Sequence, residues 1–335
     1  MPKKILVTGA GGYIGSITSH LLLENGFDIV ALDNFTTGYK KPLELLQEKF
    51  GKERISIYEK STTEDLSEIF EKEKDTVGCL HFAASLSVNN SMTDPLGYFK
   101  NNFEGTRNLL ENLLKFNVTN LIFSSTCASF GNAQYLPLDE VHPQKPVSVY
   151  GESKGMTEKM IKWLGELKRL KYVILRYFNV CGALEDGFLG DAKKPSPHLM
   201  QNAVRGALGI ESFKLTFPEV DTPDKSPVRD YVDVTDLARA HLMAINYLLV
   251  GKENNDFNLG SGKGNSVLEI VETVERVTGK KIERTKGDTR KGDAAKVYAS
   301  TKKAKEVLGW EATKSLEDSV QSLVTWYNLH PKGWE

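Results

Sequence analysis

A glycine-rich turn near the amino terminus constrains the fold more than any other feature of the sequence. Gly9, Gly12 and Gly15 follow the apolar run 5–8 and open a segment of helical character. Glycines at a strand-to-helix turn let backbone N–H groups approach a pyrophosphate, and the helix N-terminus favours its negative charge. The pattern predicts a nucleotide-binding βαβ unit, although an ordinary strand-to-helix turn could also carry these glycines.

A carboxylate after the second apolar run indicates which dinucleotide this turn would bind. Asp33 ends the run 29–33, about 18 residues after Gly15. An acidic side chain at this place accepts hydrogen bonds from the adenosine ribose hydroxyls and repels a 2′-phosphate. The sequence therefore favours NAD over NADP, with a simple helix cap as the alternative role of Asp33.

The first half of the chain alternates strand-like and helical segments, as in proteins with βαβ units and a parallel sheet. Predicted strands lie at 5–8, 29–33, 55–58, 77–84, 121–125 and 172–178, and two long helices at about 95–116 and 149–170. We therefore predict an α/β fold. It consists of a Rossmann-like, doubly wound parallel sheet over 1–180, to which segments at about 229–262 return, and a smaller mixed α/β substrate region over 181–335.

Charge and composition exclude several classes of protein. The 335 residues include 43 Lys or Arg and 44 Asp or Glu, so the formal net charge is −1. This balance argues against nucleic acid or an anionic membrane as the main partner. No apolar run reaches the ~18 residues of a spanning helix, and no signal peptide is visible. The few scattered cysteines and histidines indicate no metal site, so we expect a cytoplasmic protein without a metal.

Tyr150 and Lys154 lie four residues apart in the predicted helix 149–170. Side chains at i and i+4 share one helix face, roughly 5–6 Å apart at Cβ. The ammonium group and the positive charge of an oxidised nicotinamide would both favour ionisation of the phenol, and a pKa about 3 units below its usual ~10 would make Tyr150 a base near neutral pH. The alternative is a solvated Lys154 beside a tyrosine that only packs.

Together these motifs resemble those of a known superfamily. The spacing G-x-x-G-x-x-G and the pair Tyr150-x-x-x-Lys154 are similar to the short-chain dehydrogenase/reductases. The resemblance extends from Lys4 to about Pro331. It is closest to the extended, nucleotide-sugar branch and, within it, to the UDP-glucose 4-epimerases. The matching segments are 6–16, 32–34, 81–84, 101–106, 176–179, 228–232, 258–262 and 292–293.

The resemblance implies NAD-dependent 4-epimerisation of a UDP-hexose, UDP-glucose or UDP-galactose, through a transient 4-keto sugar. It implies three catalytic residues, Thr126, Tyr150 and Lys154. Thr126 would bridge the substrate hydroxyl and the tyrosine, its alternative role being to satisfy loop backbone at a strand end. The implied NAD site comprises Gly9, Gly12, Tyr13, Ile14, Gly15, Asp33, Asn34, Phe82, Ala83, Ala84, Asn101, Tyr150, Lys154 and Phe178. The implied UDP-sugar site comprises Thr126, Asn179, His198, Phe217, Arg229, Arg290, Asp293 and Val297.

Two departures from the family pattern concern specificity. Ser61 and Thr62 stand where an acidic residue and an aliphatic neighbour usually contact adenine. Val297 stands where some epimerases carry a bulky tyrosine and others a smaller residue beside the sugar C2 substituent. Because valine lacks the ring, we expect UDP-N-acetylglucosamine to be epimerised as well.

Other activities on the same scaffold stay open. A 4-epimerase of UDP-pentoses or UDP-uronates would use the same catalytic residues. Dehydratases and decarboxylases of this branch carry an acidic residue directly after the Ser/Thr, where Cys127 and Ala128 stand, so both are disfavoured. A non-catalytic NAD-binding sensor is the alternative from another class. The resemblance also implies a homodimer whose four-helix bundle uses helices 95–116 and 149–170, although their apolar faces could instead belong to the core.

Overall fold

Apolar runs without polar alternation form the central strands, as is usual where helices cover both faces of a sheet. The computed structural model describes residues 3–287 and 294–335. Its strands are, in chain order, β1 (Lys4–Thr8), β2 (Asp28–Asp33), β3 (Ile55–Glu59), β4 (Thr76–His81), β5 (Asn120–Thr126), β6 (Lys171–Tyr177), β7 (Asn179–Cys181), β8 (Lys214–Pro218), β9 (Val228–Asp233), β10 (Asn255–Leu259), β11 (Gly264–Ser266), β12 (Glu283–Gly287) and β13 (Lys296–Val297).

Helices alternate with these strands. They are α1 (Tyr13–Glu24), α2 (Lys41–Phe50), α3 (Ser67–Lys72), α4 (Val88–Thr93), α5 (Pro95–Tyr98), α6 (Gly105–Lys115), α7 (Val149–Glu166), α8 (Leu199–Ala207), α9 (Val234–Leu249), α10 (Val267–Thr278) and α11 (Leu316–Leu329). Side-chain caps fix several starts. Ser148 Oγ accepts a hydrogen bond from Gly151 N at the start of α7, and Ser266 and Ser315 begin α10 and α11 with reciprocal capping boxes.

A seven-stranded sheet has the order β10-β6-β5-β4-β1-β2-β3. The pairs β1–β2, β2–β3, β1–β4 and β4–β5 are parallel. The chain moves outward from β1 in one direction through β2 and β3, and in the other through β4 and β5. The predicted Rossmann-like, doubly wound sheet is confirmed, and the order reverses beside β1, where sheets of this kind bind ligands at the carboxyl ends of the strands.

The predicted strand 77–84 is three residues too long at its carboxyl end, because β4 stops at His81. The amide of Phe82 still donates to the Thr8 carbonyl (3.0 Å). Beyond that point β1 has ended and Gly9 turns away with φ of 71°, so residues 83 and 84 have no strand to pair with. They lie instead against the glycine turn.

The predicted helix 95–116 is also interrupted. A π-helical segment, Phe99–Glu104, separates α5 from α6. Inside it, the Asn102 side chain accepts from Ser85 N (2.8 Å) and donates to Ser85 O (3.0 Å) and to Ser153 Oγ on α7 (3.1 Å). The wider π turn aims this side chain at two neighbouring segments, a local geometry that hydrophobic periodicity does not reveal.

A buried chain of hydrogen bonds joins β1, β4 and α6 below the glycine turn. Thr106 Oγ1 donates to the Asn102 carbonyl (2.6 Å), so it must accept from His81 Nε2 (2.8 Å). The bare Nδ1 of His81 then accepts from Thr8 Oγ1 (2.6 Å), which in turn accepts from Ala83 N (3.3 Å). Burial lowers the pKa of His81 to about 3, with the Lys154 charge adding to the shift, so the imidazole is neutral.

The chain divides into two units. The first comprises Met1–Gly131, Gln144–Arg176 and Ala238–Phe257, and the second Asn132–Pro143, Tyr177–Leu237 and Asn258–Glu335. In the second unit β9 is paired with β7, β11 and β13, and β8 with β12. Trp310 and Trp326 are fully buried there. The Trp310 indole donates to the Asp236 carbonyl oxygen (2.8 Å), which ties the end of the chain to α9.

Among residues 3–287 and 294–335, no helix is long and apolar enough to cross a bilayer. The same residues contain no group of three or more His, Cys, Asp or Glu side chains that could hold a metal ion. Cys79 and Cys181 are buried thiols, and Cys127 is half-buried.

Candidate active site

The glycine turn leaves no room for a side chain. A Cβ on Gly15 would lie 2.2 Å from the Gly9 carbonyl oxygen, and one on Gly9 would lie 2.7 Å from Ala83 N. Gly12 precedes α1 and offers no side chain to cap it. The turn therefore presents backbone alone at a helix N-terminus, an arrangement that suits a phosphate group.

Asp33 joins the glycine turn to the segment after β2. Its carboxylate accepts from Gly11 N (2.9 Å) and Phe35 N (2.8 Å), and Tyr39 N donates to the Gly11 carbonyl (2.9 Å). An ionised carboxylate is an acceptor only, which is the chemistry that donating ribose hydroxyls require. Asn34, the next residue, is exposed and accepts from Thr36 N (3.2 Å).

The three predicted catalytic residues of the first unit come together where β5 ends. The Thr126 hydroxyl lowers the pKa of the Tyr150 phenol and accepts from Ala128 N (3.2 Å), the loop contact considered from the sequence. Lys154 Nζ donates to the Ser124 carbonyl (2.8 Å) and lies 4.8 Å from the centroid of the Phe123 ring. Tyr150 and Lys154 share one face of α7, one turn apart.

In the polypeptide alone, the pKa of the tyrosine is raised. Burial raises the pKa of Tyr150 to about 12, against a smaller lowering by the Thr126 hydrogen bond. Burial also lowers the pKa of Lys154 to about 7, against a raising by the Glu158 charge. Desolvation outweighs the lowering by the Thr126 hydroxyl in the polypeptide alone. The predicted lowering also relied on the charge of an oxidised nicotinamide, so it stays a prediction for the enzyme with bound NAD.

The other predicted NAD residues of the first unit lie in the first turn of α1, in the segment after β4 and in the π-helical segment before α6. Tyr13 and Ile14 are half-buried in the first turn of α1, and Phe82, Ala83 and Ala84 follow β4. The Phe82 ring lies 4.7 Å from that of His241. Asn101 Nδ2 donates to Ser85 Oγ (3.1 Å), which places its amide in the segment after β4.

The remaining predicted residues belong to the second unit, apart from Arg290 and Asp293, which lie outside the described residues. Phe178 is buried just before β7. Asn179 Nδ2 donates to the Asp230 carbonyl (3.1 Å), and Arg229 Nη1 donates to the carbonyls of Val228 and Ala294 (both 2.9 Å). Val297 is paired with Arg229 in the register of β13 and β9, so this unit brings the predicted gate residue beside a predicted phosphate-binding one.

Phe217 and His198 stand elsewhere in the second unit. Phe217 is buried in β8 and pairs with Lys286 of β12. His198 caps the start of α8, and its amide donates to Ser196 Oγ (3.2 Å). Burial lowers the pKa of His198, and the Asp191 carboxylate opposes this shift.

Comparison with known proteins identifies the family. The family model described as "NAD dependent epimerase/dehydratase family" matches residues 5–260. The UDP-glucose 4-epimerase of Lacticaseibacillus casei is 40% identical over 98% of this chain and 98% of its own. This chain is a UDP-glucose 4-epimerase family member.

Solved structures agree with this assignment and confirm the fold. The UDP-glucose 4-epimerase of Bifidobacterium longum, in complex with NAD+ and UDP, has a TM-score of 0.93 at 32% identity, over 99% of this chain and 100% of the other. The UDP-Glc/GlcNAc 4-epimerase of Campylobacter jejuni has a TM-score of 0.84 at 34% identity, over 98% and 99%. The resemblance drawn from the sequence motifs is confirmed.

The epimerase also contains two anchoring carboxylates that sequence reasoning missed. Asp230 is fully buried and accepts from Ser261 N (2.7 Å), Ser261 Oγ (2.7 Å), Gly262 N (3.2 Å) and Ala299 N (3.1 Å). It therefore fixes the segment after β13 against β9. Glu158 lies on α7, eight residues after Tyr150, and this spacing on one helix face was the available signal.

We predict that Gly15→Ala removes most of the NAD that co-purifies with the epimerase. Its Cβ would overlap the Gly9 carbonyl, so the turn must open, and overpacking of this kind costs roughly 1–3 kcal/mol of unfolding free energy. Acid release of bound nucleotide and urea unfolding measure the two effects. Gly155→Ala is the matched control, because a Cβ there lies 3.8 Å from Pro146 and a helical glycine gains about 0.5–1 kcal/mol on becoming alanine. Full NAD content in Gly15→Ala would contradict the assignment of the turn.

Proposed function

We propose that the protein is an NAD-dependent 4-epimerase that interconverts UDP-glucose and UDP-galactose through a transient 4-keto sugar. The observation that carries this proposal is the meeting of Thr126, Tyr150 and Lys154 at the end of β5, in the sheet that also carries the glycine turn and Asp33. The names of the relatives support the same chemistry. We further propose that the first unit binds NAD and the second unit binds the UDP-sugar.

The residues of the first unit fit NAD. The glycine turn and the start of α1 would hold the pyrophosphate, and Asp33 the adenosine ribose. Asn34, Phe82, Ala83, Ala84 and Asn101 complete the proposed site in this unit. Bound NAD supplies the acceptor for the hydride of sugar C4 and later its donor.

In the proposed reaction, the Tyr150 phenolate takes the proton of the C4 hydroxyl while the C4–H bond breaks. The C4 carbon is oxidised to a ketone, and the hydride would stay with bound NAD until the sugar has turned. When the hydride returns to the opposite face of C4, Tyr150 donates its phenolic proton to the new alkoxide. Thr126 orients the hydroxyl, and Lys154 stabilises the phenolate as a cation.

The second unit supplies the anchor for the nucleotide diphosphate while the sugar turns. A guanidinium group meets phosphate oxygens with paired, charge-assisted hydrogen bonds, the role proposed for Arg229 and for Arg290. Asn179, His198 and Phe217 would complete the site together with Asp293. Binding mainly through the UDP part suits an enzyme in which the sugar must turn so that the hydride can return to the opposite face of C4.

We also propose a homodimer in the cytoplasm. Trp163 and Leu167 are 68% and 64% exposed on α7, and Met92 and Leu96 are 58% and 80% exposed on α4 and α5. A partner helix packed on these exposed apolar side chains would remove them from water, which supports the proposed dimer. Sedimentation velocity of the purified protein at micromolar concentration tests the proposal, and a monomer would contradict it.

We expect purified protein to convert UDP-galactose into UDP-glucose without added reductant, and Tyr150→Phe to lose turnover by about 10²–10⁴-fold, the usual effect of removing a general base. Tyr172→Phe is the matched control, since Tyr172 is a buried tyrosine of β6 in the same unit. Product analysis by chromatography measures both. Near-normal turnover in Tyr150→Phe would remove the tyrosine from the mechanism, and an inactive wild type would refute the proposed reaction.

For substrate range, we expect the wild type to epimerise UDP-N-acetylglucosamine as well, because Val297 leaves the space of an aromatic ring beside the sugar. Val297→Tyr should suppress N-acetyl turnover by roughly 10-fold or more and largely spare UDP-galactose, since a filled pocket rejects the larger substrate. Val297→Ala, which keeps the space open, should retain both activities. A wild type that acts on UDP-galactose but leaves the N-acetyl sugar untouched would show that Val297 is not the gate.

A further inference from the structure

Three consecutive residues of β5 each contact a different residue on one face of α7. The Ser124 carbonyl accepts from Lys154 Nζ (2.8 Å), Ser125 Oγ donates to Glu158 Oε1 (2.5 Å), and the Thr126 hydroxyl acts on the Tyr150 phenol, whose pKa it lowers. Positions 150, 154 and 158 are spaced by four, so they form one row along the helix. Glu158 therefore stands in line with the proposed catalytic pair, one turn beyond Lys154.

The Glu158 carboxylate is completely buried and is held from several sides. Arg176 donates to it through Nε (2.9 Å to Oε1) and Nη2 (2.6 Å to Oε2), and Gln144 Nε2 donates to Oε2 (2.8 Å). A buried ion pair of this type often contributes little net stability compared with apolar residues of the same volume. Stability alone therefore does not explain why a carboxylate stands in this row.

We propose that Glu158 is a positioning residue of the epimerase, whose carboxylate keeps the buried Lys154 ammonium charged beneath Tyr150. The inference rests on the proposed function for the role of Tyr150. It deepens that function by identifying the side chain through which the lysine keeps its charge. Glu158 itself touches no reacting atom and acts through Lys154.

The charges around Lys154 support this role. Burial lowers the pKa of Lys154 to about 7, and the negative charge of Glu158 raises it. The cation is present below that pKa and is lost as the pH rises through it, so removing Glu158 brings the loss to lower pH. The titratable and charged groups around this row include Tyr98 on α5, Tyr150 and Lys162 on α7, His81 on β4, Cys127 after β5, Tyr172 and Arg176 on β6 and Asp256 on β10.

Among these neighbours, Glu158 is the group that favours the charged form of Lys154. His81 is neutral, because burial holds its pKa near 3. Arg176 Nη2 also donates to Asp256 Oδ2 (2.9 Å), and Lys162 Nζ pairs with the same carboxylate oxygen (2.9 Å). The cations Arg176 and Lys162 thus balance the carboxylates Glu158 and Asp256. Replacing Glu158 by a neutral residue leaves one positive charge in excess in this group, and that charge disfavours the Lys154 ammonium.

The direct test is the titration of Lys154 in protein labelled with ¹³C at lysine Cε. The Lys154 signal, identified by its loss in Lys154→Met, should titrate near pH 7, far from ordinary lysines at about 10.4. In Glu158→Gln it should move down by about 1 unit or more, the usual effect of a nearby charge on a buried group. Asp256→Asn is the matched control. It removes the other carboxylate of Arg176 and should shift the signal by less than half as much.

The pH profile of turnover is the second readout. In Glu158→Gln the alkaline limb of the kcat profile with UDP-galactose should move to lower pH by a similar amount, with kcat about 10-fold lower at pH 8 and KM little changed. Glu158→Asp keeps the charge on a shorter side chain and should shift the signal in the same direction by less. It carries the test if Glu158→Gln does not fold.

The outcomes separate this inference from the proposed function. An inactive wild type refutes the proposed function, whereas the lysine titration still decides whether Glu158 sets the charge of Lys154. An unchanged Lys154 signal in the Glu158 variants overturns the inference, even if turnover falls, because the loss is then structural. An equal shift in Asp256→Asn overturns it too, since any carboxylate of Arg176 would then serve.

Discussion

The candidate site depends on a lysine ammonium that is removed from water. Lys154 is almost fully buried, and burial alone would deprive it of its charge at neutral pH, as its pKa of about 7 shows. The surrounding residues offset the free-energy cost of burying this charge in three ways. The Ser124 carbonyl accepts one of its hydrogens, the Phe123 ring lies below it, and Glu158 supplies a negative charge. The end of β5 and the first turns of α7 are therefore arranged around one cation.

Close packing of backbone against backbone determines the residues of the glycine turn. At Gly9 and Gly15 the backbone of one segment lies where a side chain of the other would have to be. Thr8, directly before the turn, is held by the His81 imidazole, and His81 is held in turn by Thr106. The backbone of the glycine turn is thus supported by a row of buried, hydrogen-bonded side chains. This row is stable because each of its side chains has a hydrogen-bond partner.

Local sequence patterns were sufficient to predict most of the sheet and the placement of Tyr150 and Lys154 on one helix. The unalternated runs gave β1, β2, β3, β5 and β6 within one residue at each end, and the spacing of Tyr150 and Lys154 gave their common helix face. The interruption of 95–116 at Phe99–Glu104 could not be predicted, because the Asn102 contacts that accompany it join residues 17 and 51 positions away. Long-range partners, rather than propensity, decide such geometry.

The raised pKa of Tyr150 in the polypeptide alone has the same origin. A helix register shows which groups are neighbours, whereas desolvation depends on what the rest of the chain places over them. The buried row also escaped prediction, because Arg176 and Asp256, which balance the charge around Glu158, are separated by 80 residues. Sequence spacing could indicate that Glu158 shares a face with Lys154, but only the packed structure shows that both are removed from water.

The high pKa of Tyr150 gives the proposed reaction a physical logic. A phenol near 12 beside an ammonium near 7 keeps its proton, so the polypeptide alone presents an acid. A positive charge brought next to the phenol favours the phenolate, and loss of that charge favours the phenol again. Under the proposed function, oxidised nicotinamide carries such a charge and the reduced form does not. Tyr150 is then a base when the C4 proton must leave and an acid when it must return. A tyrosine already ionised by the protein would suit only the removal of the C4 hydroxyl proton. Burial that raises the pKa of Tyr150 therefore also suits the return of the proton, which the reverse half-reaction requires.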